Sequence, residues 1–190
     1  MRDYSLQEIN QAIELMDSIR GFAKDHLEYG FDDDWPIFVG KMRILTSQAW
    51  GSRIQNHIFR ALGWERIPSS LGRGDVKNSL GQYFEVKVTI ISSSNTCANI
   101  VQIRLWQSIN GHHIFVIDAT KNCEVTHFFL STYDMKQEVE LCGSSAHGTK
   151  VANTSNKNIE WAIRISWKSD NKTYQRWIAK YKQESNIGKE

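Results

Sequence analysis

The shortages of this chain set the first limits on what it can be. Three cysteines, Cys97, Cys123 and Cys142, are few, odd in number and never spaced as C-x-x-C. That argues against a disulfide framework or a zinc knuckle and leaves reduced, mostly buried thiols. No apolar run approaches the roughly 18 residues of a membrane-spanning helix, and the N-terminus lacks a basic, apolar, small-residue leader. The expected address is therefore cytoplasmic, with no membrane partner. Internal repeats, linkers and low-complexity tracts beyond the polar tail are missing as well. Net charge is only +2, too little to imply a general attraction to polyanions. What is present is 190 residues with 41% hydrophobic and 23% charged side chains, an ordinary globular balance and enough chain for one domain with a real core.

The small net charge hides an uneven distribution. Residues 1–40 carry nine acidic side chains against Arg2, Arg20 and Lys24, a net of −6; with +2 overall, residues 41–190 hold +8. A polyanion is drawn to the later part and away from the first forty residues, although solvated surfaces show such asymmetry without any partner.

Ser5-Leu6-Gln7-Glu8 matches a capping box, and Ile9, Ile13, Met16 and Ile19 recur at helical spacing, which predicts a helix over about 6–28. Asp32-Asp33-Asp34 then reads as a solvated loop, to which no chemistry is assigned. A second helix is predicted over about 47–62, with Trp50, Ile54 and Ile58 on one face, Gln55 and Arg53 off that stripe, and Gly63 as its stop. Residues 64–74 form a turn-rich connector. Residues 75–77 and 82–91 read as two strands joined through Asn78-Ser79-Leu80-Gly81. In the second strand Phe84, Val86, Val88 and Ile90 alternate with Glu85, Lys87 and Thr89, so period two separates an apolar face from a polar one. Residues 100–106 fit strand or helix equally. Strands follow at 114–118 and 125–130, a capped helix at about 131–140, a long polar loop at 142–158, a strand at 159–167 and a helix at 174–182. This order implies an α/β domain with a central mixed β-sheet flanked by helices.

The chemistry concentrates between residues 75 and 87. Asp75 precedes a hairpin turn, and the returning strand carries Glu85-Val86-Lys87. Phosphodiester hydrolysis must neutralise charge on the transition state and supply a nucleophile stronger than neutral water, and a metal ion does both. Mg²⁺ takes a few hard oxygen ligands and keeps several waters, so two carboxylates suffice when the phosphate adds oxygens. Lys87 shares the Glu85 face, where its ammonium can orient water, stabilise negative charge or act as a base. An E-x-K pair is also an ordinary cross-strand ion pair on many sheets. Here an apolar opposite face, a preceding helix and an acid at the hairpin entry add to it.

In these residues the chain resembles the PD-(D/E)XK nuclease superfamily, and type II restriction endonucleases in particular. Asp75, Glu85, Val86 and Lys87 match the family's acid at a hairpin followed by (D/E)-x-K, over roughly residues 45–130 as the catalytic core. The resemblance implies a restriction-endonuclease-like fold across 1–190 and Mg²⁺-dependent hydrolysis of double-stranded DNA to 5′-phosphate and 3′-hydroxyl ends, with Mn²⁺ able to substitute. It also implies Asp75, Glu85 and the Val86 carbonyl at the metal and Lys87 at the water. Two positions depart from the pattern. Gly74 stands where the family name has proline, and Gln55 stands where many members place a helix glutamate, an amide that adds no charge to a metal site.

Candidate DNA contacts fall in two places. Gln102 and Arg104 follow the catalytic strand; if 100–106 is a strand, they share a face opposite Val101, Ile103 and Leu105. The loop at 142–158 carries His147, Thr149, Lys150 and Asn153, side chains that suit base edges and phosphates in a groove. Both segments also read as plain solvated surface. Cutting both strands calls for two sites, hence a homodimer or a partner subunit, with the helical segment in 1–40 as a candidate interface. The alternatives are a structure-selective or mismatch repair nuclease of the same superfamily and a non-catalytic DNA-binding protein on this fold.

Overall fold

The structure, a computed structural model, describes residues 47–145 and 159–184 together with Gln7, Trp35 and Val39. The predicted helix over 6–28 and most of the 142–158 loop, including His147, Thr149, Lys150 and Asn153, lie outside the described residues.

Helix α1 (Ser47–Ala61) is amphipathic, with Ile54 and Ile58 fully buried. Gly63 beyond it adopts the positive φ that favours glycine after a helix end. The short strands β1 (Glu65–Arg66) and β2 (Val76–Lys77) lead to β3 (Tyr83–Ile91). The turn between β2 and β3 is fixed by Asn78, whose side-chain Oδ1 accepts from the Leu80 and Gln82 N–H groups. Strand β4 (Cys97–Ile103) follows a tight loop, and β5 (Gly111–Asp118) and β6 (Glu124–Ser131) form a hairpin. Helix α2 (Thr132–Cys142) is capped by Ser131, whose Oγ accepts from the Asp134 N–H. The described chain closes with β7 (Gly143–Ser145), β8 (Trp161–Ser166), α3 (Lys172–Tyr181) and β9 (Lys182–Gln183).

Six strands form a mixed sheet in the order β1-β2-β3-β5-β6-β9, and β4-β8-β7 form a smaller antiparallel sheet. The β3–β5 pair is parallel, while its neighbours in the large sheet are antiparallel. Every residue of β5 is buried, as the centre of a sheet covered on both faces requires. One core places Ile54, Ile58 and Phe59 of α1 against Phe84, Val86, Ile90, Phe115 and Ile117. A second core on the opposite face joins Ile91, Ile114, Val116, Phe128 and Leu130 to the small sheet, α2 and α3. Beneath it, Glu138 of α2 is 1% exposed and accepts hydrogen bonds from Arg176, Trp177 Nε1 and Tyr181 Oη of α3. Burial raises the carboxyl's pKa, but these donors outweigh it and hold Glu138 below its ordinary value.

The fold class is thus α/β with a mixed sheet. Of the two readings of 100–106, strand holds as far as Ile103, in a strand that begins at Cys97. Other details differ from the sequence expectation. A short strand, β1, lies within the 64–74 connector, and β5 starts at Gly111, with His112 and His113, polar by type, buried within it. Gly143–Ser145 pairs with β8 instead of opening the polar loop.

Candidate active site

The site exists because β2 is short. β2 pairs with β3 only through Val76↔Phe84 and Lys77↔Tyr83, and the Asp75 N–H closes the ladder on the Phe84 carbonyl at 2.8 Å. Beyond Phe84 that edge of β3 has lost its neighbouring strand, so the backbone of Val86 must be satisfied by side chains. Its N–H donates to Asp75 Oδ2 at 2.9 Å, and its carbonyl accepts from Gln55 Nε2 at 2.8 Å. The first bond fixes the Asp75 carboxylate beside the strand that carries Glu85 and Lys87.

Gly74 makes that approach possible. Its φ is +87°, and a Cβ built there would lie 2.5 Å from the Phe84 carbonyl oxygen. Proline, locked near φ −65°, does not fit this backbone, whereas glycine does.

Glu85 projects from the polar face of β3 and is 1% exposed. Lys87 Nζ pairs with its Oε1, while Oε2 is buried with no hydrogen-bond partner. Burial, above all, pushes the Glu85 carboxyl above its ordinary pKa; the Lys87 charge draws it back, Asp75 pushes it up again, and Arg104 lowers it. A buried carboxylate with a bare oxygen, raised further by a second carboxylate, is a place short of positive charge. Hard oxygen donors so arranged suit a small divalent cation. Among the described residues, no group of three or more His, Cys, Asp or Glu side chains assembles to hold a metal, so the protein's share would be these two carboxylates and a backbone carbonyl.

These groups line a cleft of about 670 Å³ that also takes in Gln55, Gln102 and Arg104. Six of the predicted side chains therefore meet in one place. Val86 is fully buried and contributes only its backbone. Arg104 is steered by an ion pair with Glu160 at 2.8 Å, which leaves guanidinium donors for another anion. The expected alternation of 101–105 does not hold. Ile100 pairs with Ile163 but Ile103 pairs with Trp161, so β4 carries one residue more than β8 over this span. The extra residue makes a β-bulge, and Val101 joins Gln102 on the exposed, cleft-lining side.

Sequence reasoning missed Arg66 and His112. Arg66 lines the cleft and is held by Asn56 Oδ1 of α1 at 2.6 Å. It lies in a connector with no motif, and only the β1–β2 pairing brings it there. His112 sits beside Glu85 in the parallel register, is fully buried, and has neither ring nitrogen hydrogen-bonded among the described residues. Burial first, and the Lys87 charge second, lower its pKa to about 3, so it is neutral near pH 7 and adds no charge behind the carboxylate. The cleft as a whole sets Arg66, Lys87 and Arg104 around Asp75 and Glu85, a pattern suited to a phosphate-rich ligand with a cation at its centre. No protein-family model matches the chain, and no curated protein matches it significantly.

Proposed function

We propose that the protein is a Mg²⁺-dependent, sequence-specific double-strand DNA endonuclease of the restriction-endonuclease-like type. One observation carries the reading: Asp75, pinned by the Val86 N–H, stands with Glu85, whose Oε2 is buried and bare while Lys87 pairs with its other oxygen. The order of helix, acid at a hairpin and E-x-K on a strand buried on its other face supports the same family assignment.

Asp75 and Glu85 would hold the cation, with the Val86 carbonyl as a third oxygen. That carbonyl accepts from Gln55, and a carbonyl oxygen has two lone pairs. When bound, Mg²⁺, or Mn²⁺ in its place, supplies charge neutralisation at the phosphate and a more acidic water.

The chain's own residues do the remaining work. Lys87 holds an ammonium where negative charge develops on the phosphate. Arg66 and Arg104 bind the DNA backbone on either side and fix its register. Gln55 keeps the β3 edge in place through Val86. Hydrolysis leaves 5′-phosphate and 3′-hydroxyl ends, and a duplex break needs a second copy or a partner subunit.

The test is incubation of purified protein with plasmid and phage DNA in Mg²⁺, with an EDTA control, followed by sequencing of fragment ends. Discrete ends formed with Mg²⁺ and absent with EDTA are expected. Intact DNA in both Mg²⁺ and Mn²⁺ would overturn the proposal.

A further inference from the structure

Gln102 is one of three non-glycine residues in the described chain with positive φ, at +56°, and the only one of them that lines the cleft. An L-residue in this region is strained, and such conformations persist where the surrounding structure forces them. Here the force comes from both sides of the bulge. Ile100 is 1% exposed and Ile103 is 0% exposed, so both are locked into the second core and into pairing with β8. The surplus residue between them cannot be absorbed, and Val101 and Gln102 are thrust out together into the cleft that holds Asp75, Glu85 and Lys87. Val101 is 44% exposed, an unusual position for a β-branched apolar side chain on a strand that is otherwise half in the core.

The pair presents two different chemistries side by side. The Gln102 amide offers a donor and an acceptor on one plane, the arrangement that pairs bidentately with N6 and N7 of adenine. Val101 offers a methyl-rich surface with nothing polar to satisfy, which suits the C5-methyl group of thymine. Adenine N6/N7 and the thymine methyl are the major-groove signature of a single A·T base pair. Resting on the nuclease reading of the cleft, we infer that the Val101–Gln102 bulge is a specificity element that reads one A·T pair at a fixed distance from the cut, with Gln102 on adenine and Val101 on the thymine methyl. Strain in the bulge then has a use: it holds both side chains forward before DNA arrives, so little ordering remains for binding.

The test uses a duplex library randomised around the cleavage region, digested by the full chain in Mg²⁺ and sequenced at the fragment ends. The expected result is one position, at constant offset from the cut, where A·T exceeds G·C by at least about fivefold. In Gln102→Gly that ratio falls toward one. Glycine adopts φ +56° without strain, so this variant should melt no lower than the parent, which separates lost readout from lost fold. On a fixed substrate, deoxyuridine for the thymine should slow the parent more than Val101→Ala, which keeps only one methyl, and an adenine analogue lacking N7 should slow the parent but not Gln102→Gly. An A·T preference unchanged in both variants, or ends with no A·T preference at any constant offset, overturns the inference while leaving the nuclease reading intact. Absence of all cleavage overturns the nuclease reading and this inference with it.

Discussion

Glu85 combines near-complete burial with a carboxylate oxygen that has no hydrogen bond, and its neighbours explain how the chain tolerates this. Lys87 compensates one oxygen, while the other faces a cost of order 1–3 kcal/mol until something positive reaches it. Gln55 is the second residue on which the site depends. Its amide donates to the Val86 carbonyl, so Gln55→Glu would set a carboxylate oxygen against a carbonyl oxygen. In EDTA this variant should be less stable than the parent by about 1–3 kcal/mol, the loss of a part-buried hydrogen bond plus repulsion. Adding Mg²⁺ should raise its melting temperature more than it raises the parent's, because the new charge joins Asp75 and Glu85 around the cation. Thermal melts with and without Mg²⁺ check both signs, and equal Mg²⁺ shifts in the two proteins would count against the metal assignment.

At the scale of elements, the early end of β2 creates the site and Gly74 permits it. Gly74→Pro would create a Pro-Asp dipeptide and should destabilise the protein by about 3 kcal/mol or more, since the ring cannot reach φ +87° and would collide with the Phe84 carbonyl. A denaturant melt measures this, and a Gly74→Pro variant as stable as the parent would refute the geometry given for the hairpin. What the sequence made legible follows the strength of local signals. The α1 stripe of Trp50, Ile54 and Ile58 and the β3 alternation from Phe84 to Ile90 obey one period each, and both elements lie within a residue or two of the expected bounds. The β4 bulge was not legible, because an inserted residue shows only when the partner strand is known, and β8 lies some sixty residues away in sequence. His112 is hidden from the sequence for a related reason. Nothing local marks a histidine as buried; its place follows from parallel pairing with β3. Asp75, Glu85 and Lys87 were legible because a hairpin is a local structure and its carboxylates are brought together by the turn itself.

For the molecule as a whole, a single sheet carries two unlike loads. The α1 face holds an aromatic cluster in which His113 Nδ1 and His127 Nε2 lie 2.9 Å apart among Trp64, Phe84 and Phe129. Burial lowers both histidines first, helped at His113 by the charges of His127 and His112; the values fall to about 3 for His113 and about 4 for His127. Because these folded-state values lie below the ordinary 6.5, the unfolded chain takes up protons first as the solution is acidified. The stabilisation is full above pH 6.5 and is lost as pH falls toward the folded values, at up to about 1.4 kcal/mol per pH unit for each histidine. Melting temperature should therefore fall between pH 6.5 and pH 4, and His113→Gln, which keeps a hydrogen-bonding group but does not titrate, should show a shallower slope. Parallel slopes would contradict this account of the cluster.

The cleft opens instead at the edge of β3 that β2 leaves free, between α1 and β4, and the proposed function makes Asp75, Glu85 and Lys87 there a hydrolytic centre for DNA. Lys87→Ala tests it most directly, with cleavage and DNA binding measured on the same substrate beside the parent. Loss of the ammonium should lower the cleavage rate by about 10²-fold or more, with DNA binding retained because Arg66 and Arg104 still line the cleft. A Lys87→Ala protein that cleaves DNA at the parent's rate would contradict the assignment.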